Sequence, residues 1–430
     1  MFSIKKEEKN IKIALILIEL SFALVGLVYI FKLGDSTLLG SLENFDNDDV
    51  KYIRSAWNLV ENNILSYESI YEPSVYIMPG LTFVLSVFVR LFGKFDGVIA
   101  FRIFQIFIQC GSLYIIFLIG RKLFNSRIAI IACIVNSLYI VEFYVPSLIL
   151  METIFKFLLL LLVYLSIYAV ERKSTKLYIA AGIVWSIACL FRPTIAAFPA
   201  VILLVWIVKK DYKLKDMFKY ASIVLGIFCI IMSPWWIRNY KQFNTFIPFT
   251  ASSGNPFLQG TFVNYDQSNG FGVSYEKGDN YIESNKNEIR AGIERLKTYG
   301  KKEPLKYLYW YTIGKTWYFW KAPFYWNGII GFILALIQHY FILITSILGI
   351  RLSIKKSSLR SRSILIILGT IIIFNIAYLP YYTFERYSYP LISLLTIFSG
   401  YIIDNWIEKK KTVRTSWKKG VMLWMIKKQY

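Results

Sequence analysis

Apolar runs of about 18–24 residues recur along most of this chain, and short basic clusters separate them. A run of that length crosses a hydrocarbon layer as a helix, because a helix satisfies its own backbone N–H and C=O groups where no water can. The expected fold class is therefore an all-α polytopic membrane protein. Composition agrees, since 56% of the 430 residues are hydrophobic and 18% aromatic, well above a soluble domain of this length.

The runs place spans at about 12–33, 98–120, 128–146, 154–170, 177–191, 194–208, 220–237, 327–350, 363–380 and 388–407. The segment 79–93, PGLTFVLSVFVRLFG, is apolar but too short to cross comfortably. Charge parity decides its place. Counting it as a span would export Arg121, Lys122 and Arg127, then Arg172, Lys173 and Lys176. The clusters Lys209, Lys210, Lys213, Lys215 and Arg351, Lys355, Lys356, Arg360, Arg362 would follow. A helix lying at the outer surface keeps all of them in the cytoplasm, as the positive-inside rule requires. The expectation is about ten spans with both termini inside, in a bacterial plasma membrane.

The net charge of +22 raises nucleic acid as a partner, but the basic residues lie mostly in short inter-span loops with no free face for a duplex. No nucleic-acid role is expected. Cys110, Cys133, Cys189 and Cys229 fall in apolar runs without CxxC spacing and read as small buried residues. His339, the only histidine, reads as a packed polar residue. Lys5, Lys6, Lys9 and Lys12 precede a first run long enough to span, with no small-residue cleavage site after it.

This topology makes 1–408 one transmembrane unit with two large outward regions. The first, about 34–97, is expected to hold juxtamembrane helices at 48–63 and 80–93. The second, 238–326, begins with a Gly-, Asn- and Ser-rich stretch, SSGNPFLQGTFVNYDQSNGFG, that reads as loop. It continues with a surface helix at 283–299. It ends in LKYLYWYTIGKTWYFWKAPFYW, which reads as an interfacial aromatic belt and also as a wall for a sugar or lipid. The tail 409–430 interleaves basic residues with Trp417, Val421, Trp424 and Ile426 and is expected to rest on the anionic inner leaflet.

Charges in unfavourable places locate the chemistry. Asp46, Asp48 and Asp49 stand just beyond the first run, and Glu152 sits in the apolar stretch LILMETIF. Arg102, Arg192, Arg238 and Arg386 stand at outward ends of four different spans, where orientation disfavours them. Guanidinium matches phosphate oxygens, so four of them converging on one cavity would suit a phosphate. Carboxylates opposite such a cradle point to transfer of a sugar from a lipid phosphate. A base takes the acceptor hydroxyl's proton while cations stabilise the departing polyprenyl phosphate.

In these residues the chain resembles the GT-C membrane glycosyltransferases, and most of all the bacterial branch of the protein O-mannosyltransferase and aminoarabinose-transferase group. The resemblance runs from about residue 10 to 405 and rests on ordered pieces. These are Asp48-Asp49 with Tyr52, Pro79-Gly80 with the LFG at 91–93, Arg102, and Gly120-Arg121-Lys122-Leu123-Phe124. Glu152, Arg192-Pro193, Pro234-Trp235 with Arg238-Asn239-Tyr240, Gly254-Asn255 with Gly260, and Arg386-Tyr387 with Pro390 complete the series. It implies an inverting glycosyltransferase whose active site faces away from the cytoplasm, with Asp48 as base, Asp49 as supporting acid and Glu152 near the acceptor. Arg102, Arg192, Arg238 and Arg386 would contact the donor phosphate, and Tyr52, Asn239, Tyr240, Asn255 and Tyr387 would line the substrate pocket. The partners implied are a polyprenyl-phosphate-linked sugar, a hydroxyl acceptor on protein, glycolipid or glycan, and the membrane lipids. A divalent metal ion between Asp48 and Glu152 is left open. Met78 stands where several relatives carry Lys or His before the proline, and Glu152 where several carry Asp.

Two other classes compete. A lipid-linked-sugar flippase predicts mid-membrane charges and broken helices in paired repeats, and no duplication stands out. A polysaccharide polymerase or ligase would carry its active groups in 238–326 rather than at Asp48.

Overall fold

The computed structural model describes residues 1–266, 275–357 and 361–428, with side chains described to 355 and from 361 to 410. All regular structure among these residues is helical. In chain order the helices are α1 Lys9–Leu33, α2 Asp48–Asn62, α3 Gly80–Phe92, α4 Lys94–Leu123, α5 Ser126–Leu138, α6 Val141–Tyr144, α7 Glu152–Arg172 and α8 Thr175–Cys189. They continue as α9 Pro199–Lys209, α10 Leu214–Phe243, α11 Gly254–Gly260, α12 Tyr281–Arg295, α13 Pro304–Tyr309, α14 Lys315–Trp320, α15 Ile329–Ser357, α16 Arg362–Tyr378 and α17 Tyr389–Lys428.

Among the described residues six helices are long and apolar enough to cross a membrane, and α5 with the segment to Ser147 makes a seventh, bent by 67°. The protein is polytopic. Set against the ten spans expected, four shorter apolar helices, Gly80–Phe92, Thr175–Cys189, Pro193–Lys209 and Arg362–Tyr378, stand beside the six or seven long ones. Ion pairs tie the helix ends together. One set joins Arg121 to Glu7, Lys122 to Glu171, Arg127 to Asp404 and Arg362 to Asp211. Another joins Arg102 to Asp35, Arg192 to Glu152 and Arg386 to Asp48.

The bend after α5 exposes backbone groups that lipid could not satisfy. A polar stripe on α4 satisfies them instead. Arg102 Nε donates to Ser147 O (2.8 Å), Gln105 Nε2 to Pro146 O and Leu148 O (2.9 and 2.8 Å), and Gln109 Nε2 to Glu142 O (3.4 Å). The irregular backbone after α5 is therefore covered by protein, and it delivers Glu152 to the start of α7.

α2 begins where the Asn47 side chain accepts from Asp48 N (2.8 Å) and ends at Asn63, whose φ of 58° is left-handed. Both ends of α3 are tied to neighbouring segments. Gly80 N donates to Leu190 O (2.8 Å), and at the other end Lys94 pairs with Glu61 (2.6 Å). A Cβ at Gly80 would lie 2.6 Å from Leu190 O, so only glycine fits this approach.

The stretch expected as loop after residue 252 contains a helix, α11. Its Gly254 N–H is taken by the Asn285 side chain (2.7 Å), so the turn forms against α12 and not by its own propensity. Residues 267–274 of that stretch lie outside the described residues. So do the side chains of Lys356, Arg360, Trp417, Val421, Trp424 and Ile426 on which the basic-cluster and tail expectations partly rest; the α17 backbone runs through the tail as one helix. The aromatic segment splits between exposed and core positions: Trp317 and Tyr309 are exposed, whereas Trp310 is buried and donates to Gly260 O (3.1 Å). His339 is packed, with Tyr139 hydroxyl at 3.2 Å and Trp320 O at 2.8 Å.

Candidate active site

Asp48 opens α2, where the positive end of the helix favours a carboxylate. Tyr67 Oη donates to its Oδ1 (2.7 Å), and Arg386 Nη1 stands 2.8 Å from its Oδ2. Burial opposes ionisation of Asp48, but the Arg386 guanidinium, the Tyr67 hydroxyl and Lys51 outweigh it and hold the carboxyl below its ordinary value. The pair joins α2 to the segment just before α17, some 340 residues apart in sequence, a separation that local pattern cannot reveal.

A second pair lies beside the first. Arg192 Nη2 contacts Glu152 Oε1 at 2.6 Å, with side chains 6% and 1% exposed. The Arg192 guanidinium faces the rings of Phe155 (5.3 Å) and Tyr387 (5.0 Å), and Arg386 lies 5.4 Å from the same Tyr387 ring. Tyr387 in turn stacks on Tyr378 (4.5 Å). Tyr52 completes the wall, edge-on to Tyr67 at 5.4 Å. Burial raises its phenol, with the charges of Asp48 and Glu152 adding to the rise and those of Arg386 and Arg192 opposing it.

Three polar atoms here are buried without a hydrogen-bond partner among the described residues: Glu152 Oε2, Arg192 Nη1 and Arg386 Nε. Such atoms are rare in folded proteins because each costs about 1–3 kcal/mol, more when charged. Grouped around two ion pairs, they leave hydrogen-bonding capacity that a polar ligand could meet. The chemistry on hand is an ionised carboxylate, able to accept a proton, and two guanidinium groups with unspent N–H donors, able to hold an anion.

The remaining expected residues lie apart from this cluster. Asp49 is fully buried, accepts from Leu39 N (2.6 Å) and Val50 N (2.9 Å), and so braces the chain before α2. Burial raises its carboxyl, with the backbone N–H groups of Leu39, Val50 and Gly40 pulling the other way. Arg102 pairs with Asp35 (2.6 Å) and donates to Ser147 O, and its Nη2 is buried with no partner among the described residues. Arg238 Nη1 donates to Ser74 O (2.8 Å) and Nη2 to Leu65 O (3.4 Å), clasping the loop that carries Tyr67. Asn239 caps Ile247 O (3.0 Å), Tyr240 is exposed, and Asn255 bonds to Glu288 (3.3 Å) and Gln259 (2.9 Å).

The donor set does not fit a resident divalent ion. No group of three His, Cys, Asp or Glu side chains comes together among the described residues, and Asp48 and Glu152 each face a guanidinium that a cation would have to displace.

Sequence reading missed a second buried polar cluster. Lys156, one helical turn below Glu152, pairs with Glu142, and Tyr389 Oη accepts from Lys156 Nζ (3.2 Å) and from Gln109 Nε2 (2.6 Å). All are buried. The signal was present, because Lys156 is an ionisable residue inside an apolar run. Tyr67 carried no such signal.

Comparison with curated proteins finds no match. Among solved structures, the chain is similar to ArnT from Cupriavidus metallidurans bound to undecaprenyl phosphate, at a TM-score of 0.54 and 13% identity, over 90% of this chain and 60% of that one. It is similar to the Archaeoglobus fulgidus oligosaccharyltransferase in the apo form, at a TM-score of 0.54 and 13% identity, over 92% of this chain and 51% of that one. The archaeal oligosaccharyltransferase AglB from Archaeoglobus fulgidus, in complex with an inhibitory peptide and a dolichol-phosphate, gives a TM-score of 0.53 and 13% identity, over 92% of this chain and 51% of that one. The chain thus spans 51–60% of the length of these structures. It has the fold of the GT-C membrane glycosyltransferases, and its residues 73–237 match the Dolichyl-phosphate-mannose-protein mannosyltransferase family.

Proposed function

We propose that this protein is an inverting glycosyltransferase that moves a sugar from a polyprenyl-phosphate-linked donor to a hydroxyl acceptor on the extracytoplasmic side of the membrane. The observation that carries the reading is the set of unspent buried donors, Arg192 Nη1 and Arg386 Nε, beside a carboxylate held ionised. The ArnT and AglB structures were solved with undecaprenyl phosphate and dolichol-phosphate respectively, which supports a lipid phosphate as the anion.

In this reading Asp48 accepts the proton of the acceptor hydroxyl, and that oxygen attacks the anomeric carbon from the face opposite the phosphate. The bond from the anomeric carbon to the phosphate oxygen breaks as the new glycosidic bond forms. The electron pair leaves with polyprenyl phosphate, whose growing charge Arg386 and Arg192 stabilise. Tyr67 fixes the Asp48 carboxylate in one orientation, and Arg238 positions Tyr67 by clasping its loop. Glu152 holds Arg192 in place and offers Oε2 to the acceptor. Asp49, Arg102, Asn239, Tyr240 and Asn255 act in this account through the fold and not by contact with the reacting groups.

The test is transfer from a defined polyprenyl-phosphate sugar by the protein in nanodiscs. Arg386→Gln should raise the donor KM about tenfold or more, from the loss of one charge-assisted contact to phosphate. An unchanged donor KM removes the phosphate role.

A further inference from the structure

A second built site lies away from the Asp48 cluster. A cavity of about 380 Å3 is lined by Arg295, Tyr299, Lys302, Glu303, Lys306 and Tyr307, with the segment 263–266 forming its other wall. Arg295 is 2% exposed, its guanidinium lies flat against the Phe262 ring at 3.6 Å, and its Nε donates to Thr261 Oγ1 at 3.0 Å. Its Nη1 is buried and has no hydrogen-bond partner among the described residues. Among the described residues no carboxylate forms an ion pair with Arg295 or Lys302, and Glu303 pairs with Lys306 at 2.7 Å. A buried guanidinium left with an unspent N–H is costly unless a ligand completes it.

The backbone is irregular on both sides of the cavity. A π-helical turn, Leu296–Gly300, follows Arg295 at once and brings the Tyr299 ring to 5.0 Å from the guanidinium. Opposite, Asn264 and Tyr265 both adopt left-handed φ, 56° and 57°. Tyr265 stacks on Tyr382 at 3.9 Å, and its hydroxyl accepts from Thr383 N at 2.8 Å. Thr383 stands three residues before Arg386, so one wall of this cavity and the arginine beside Asp48 share a strap.

We propose that this cavity binds an anionic sugar unit, a ring bearing phosphate or carboxylate, belonging to the acceptor; the assignment of that unit to the acceptor rests on the glycosyltransferase reading above. The anionic group would meet Arg295 Nη1 and Lys302, in the bidentate or point-charge manner of guanidinium and ammonium. The ring would lie against Tyr299. Its hydroxyls would donate to the carboxylates of Asp266 and Glu303, which repel a bare anion but suit a hydroxylated one. The volume is far larger than one phosphate needs and lies within the range of small-molecule pockets.

The experiment uses the full chain in nanodiscs and measures binding, not transfer. Glucose 1-phosphate, glucuronate, glucose and inorganic phosphate are titrated by intrinsic fluorescence and by saturation-transfer NMR. Glucose 1-phosphate or glucuronate should bind about tenfold or more tightly than both glucose and inorganic phosphate, and lose affinity as salt rises. Arg295→Met should abolish that binding. Lys302→Gln, whose side chain does not pack on Phe262, should weaken it about fivefold and guards against misfolding of the first variant. Glucose binding as tightly as the charged sugars, inorganic phosphate binding as tightly as glucose 1-phosphate, or equal affinities in wild type and both variants each overturn the proposal. Asp48→Asn should leave these affinities unchanged, so failure of transfer and failure of this site are read separately.

Discussion

Replacing Asp48 with Asn separates the chemical role of this carboxylate from its structural one. The Asp48 side chain is 37% exposed, so its pair with Arg386 contributes to folding about 1 kcal/mol or less after solvent screening. The amide oxygen of Asn can still accept from Tyr67, which preserves the loop contact. The thermal midpoint should therefore move by about 2 °C or less. Catalysis should respond on another scale. Loss of a positioned general base costs about 10²–10⁴ in rate, or about 2.7–5.5 kcal/mol of activation free energy. The donor KM should hold or fall, because removal of the carboxylate leaves Arg386 with an additional free N–H for phosphate. In the wild type the carboxyl is held below its ordinary value of about 3.9, so the base form persists throughout neutral pH. The stabilisation from that shift is present above the ordinary value and disappears as pH falls through the lowered one. The assay is initial rate against donor concentration in nanodiscs, from pH 5 to 8, alongside a thermal melt. A variant that keeps more than a tenth of wild-type kcat refutes the base assignment. One that loses activity only through a raised donor KM refutes the division of labour between Asp48 and Arg386.

The Glu152–Arg192 pair is almost fully buried, so Glu152→Gln and Arg192→Met should each cost about 3–5 kcal/mol by stranding the partner. The double variant Glu152→Leu with Arg192→Met should regain most of the thermal stability yet none of the transfer, as read from melts and rates on the same samples. Lys315 is buried with only carbonyl acceptors, Leu379 O (2.6 Å) and Tyr381 O (3.1 Å), and burial pushes its ammonium down to about 7. Between that value and the ordinary lysine value the unfolded chain binds the extra proton. Stability should therefore rise as pH climbs from 7 towards 10, and Lys315→Met should flatten the rise in melts at pH 7 and 9.5.

Several site features were legible from single positions. Asp48, Glu152, Arg192 and Arg386 each violate the local rule for where a membrane protein places charge, and the structure gathers all four. Arg102 and Arg238 violate the same rule and go elsewhere, because a guanidinium can be satisfied by a carboxylate or by backbone carbonyls as well as by a ligand. No pattern at residue 102 or 238 distinguishes these outcomes. Tyr67 and Gln109 were silent, since a tyrosine in a loop and a glutamine in an apolar helix have many ordinary uses. Lys156 was audible and overlooked, masked by the apolar residues around it.

The sequence by itself determined the helical class and the six or seven long apolar segments able to cross a membrane, because the cost of an unsatisfied backbone group in hydrocarbon acts on every residue locally. It also determined the separation of basic loops from the acidic knot, since that is a matter of order along the chain. Only the tertiary structure decided which charges meet. Asp48 finds Arg386, Glu152 finds Arg192, and Lys156 finds Glu142 through helix packing, and each guanidinium or ammonium goes to whichever acceptor the packed neighbours leave within about 3 Å.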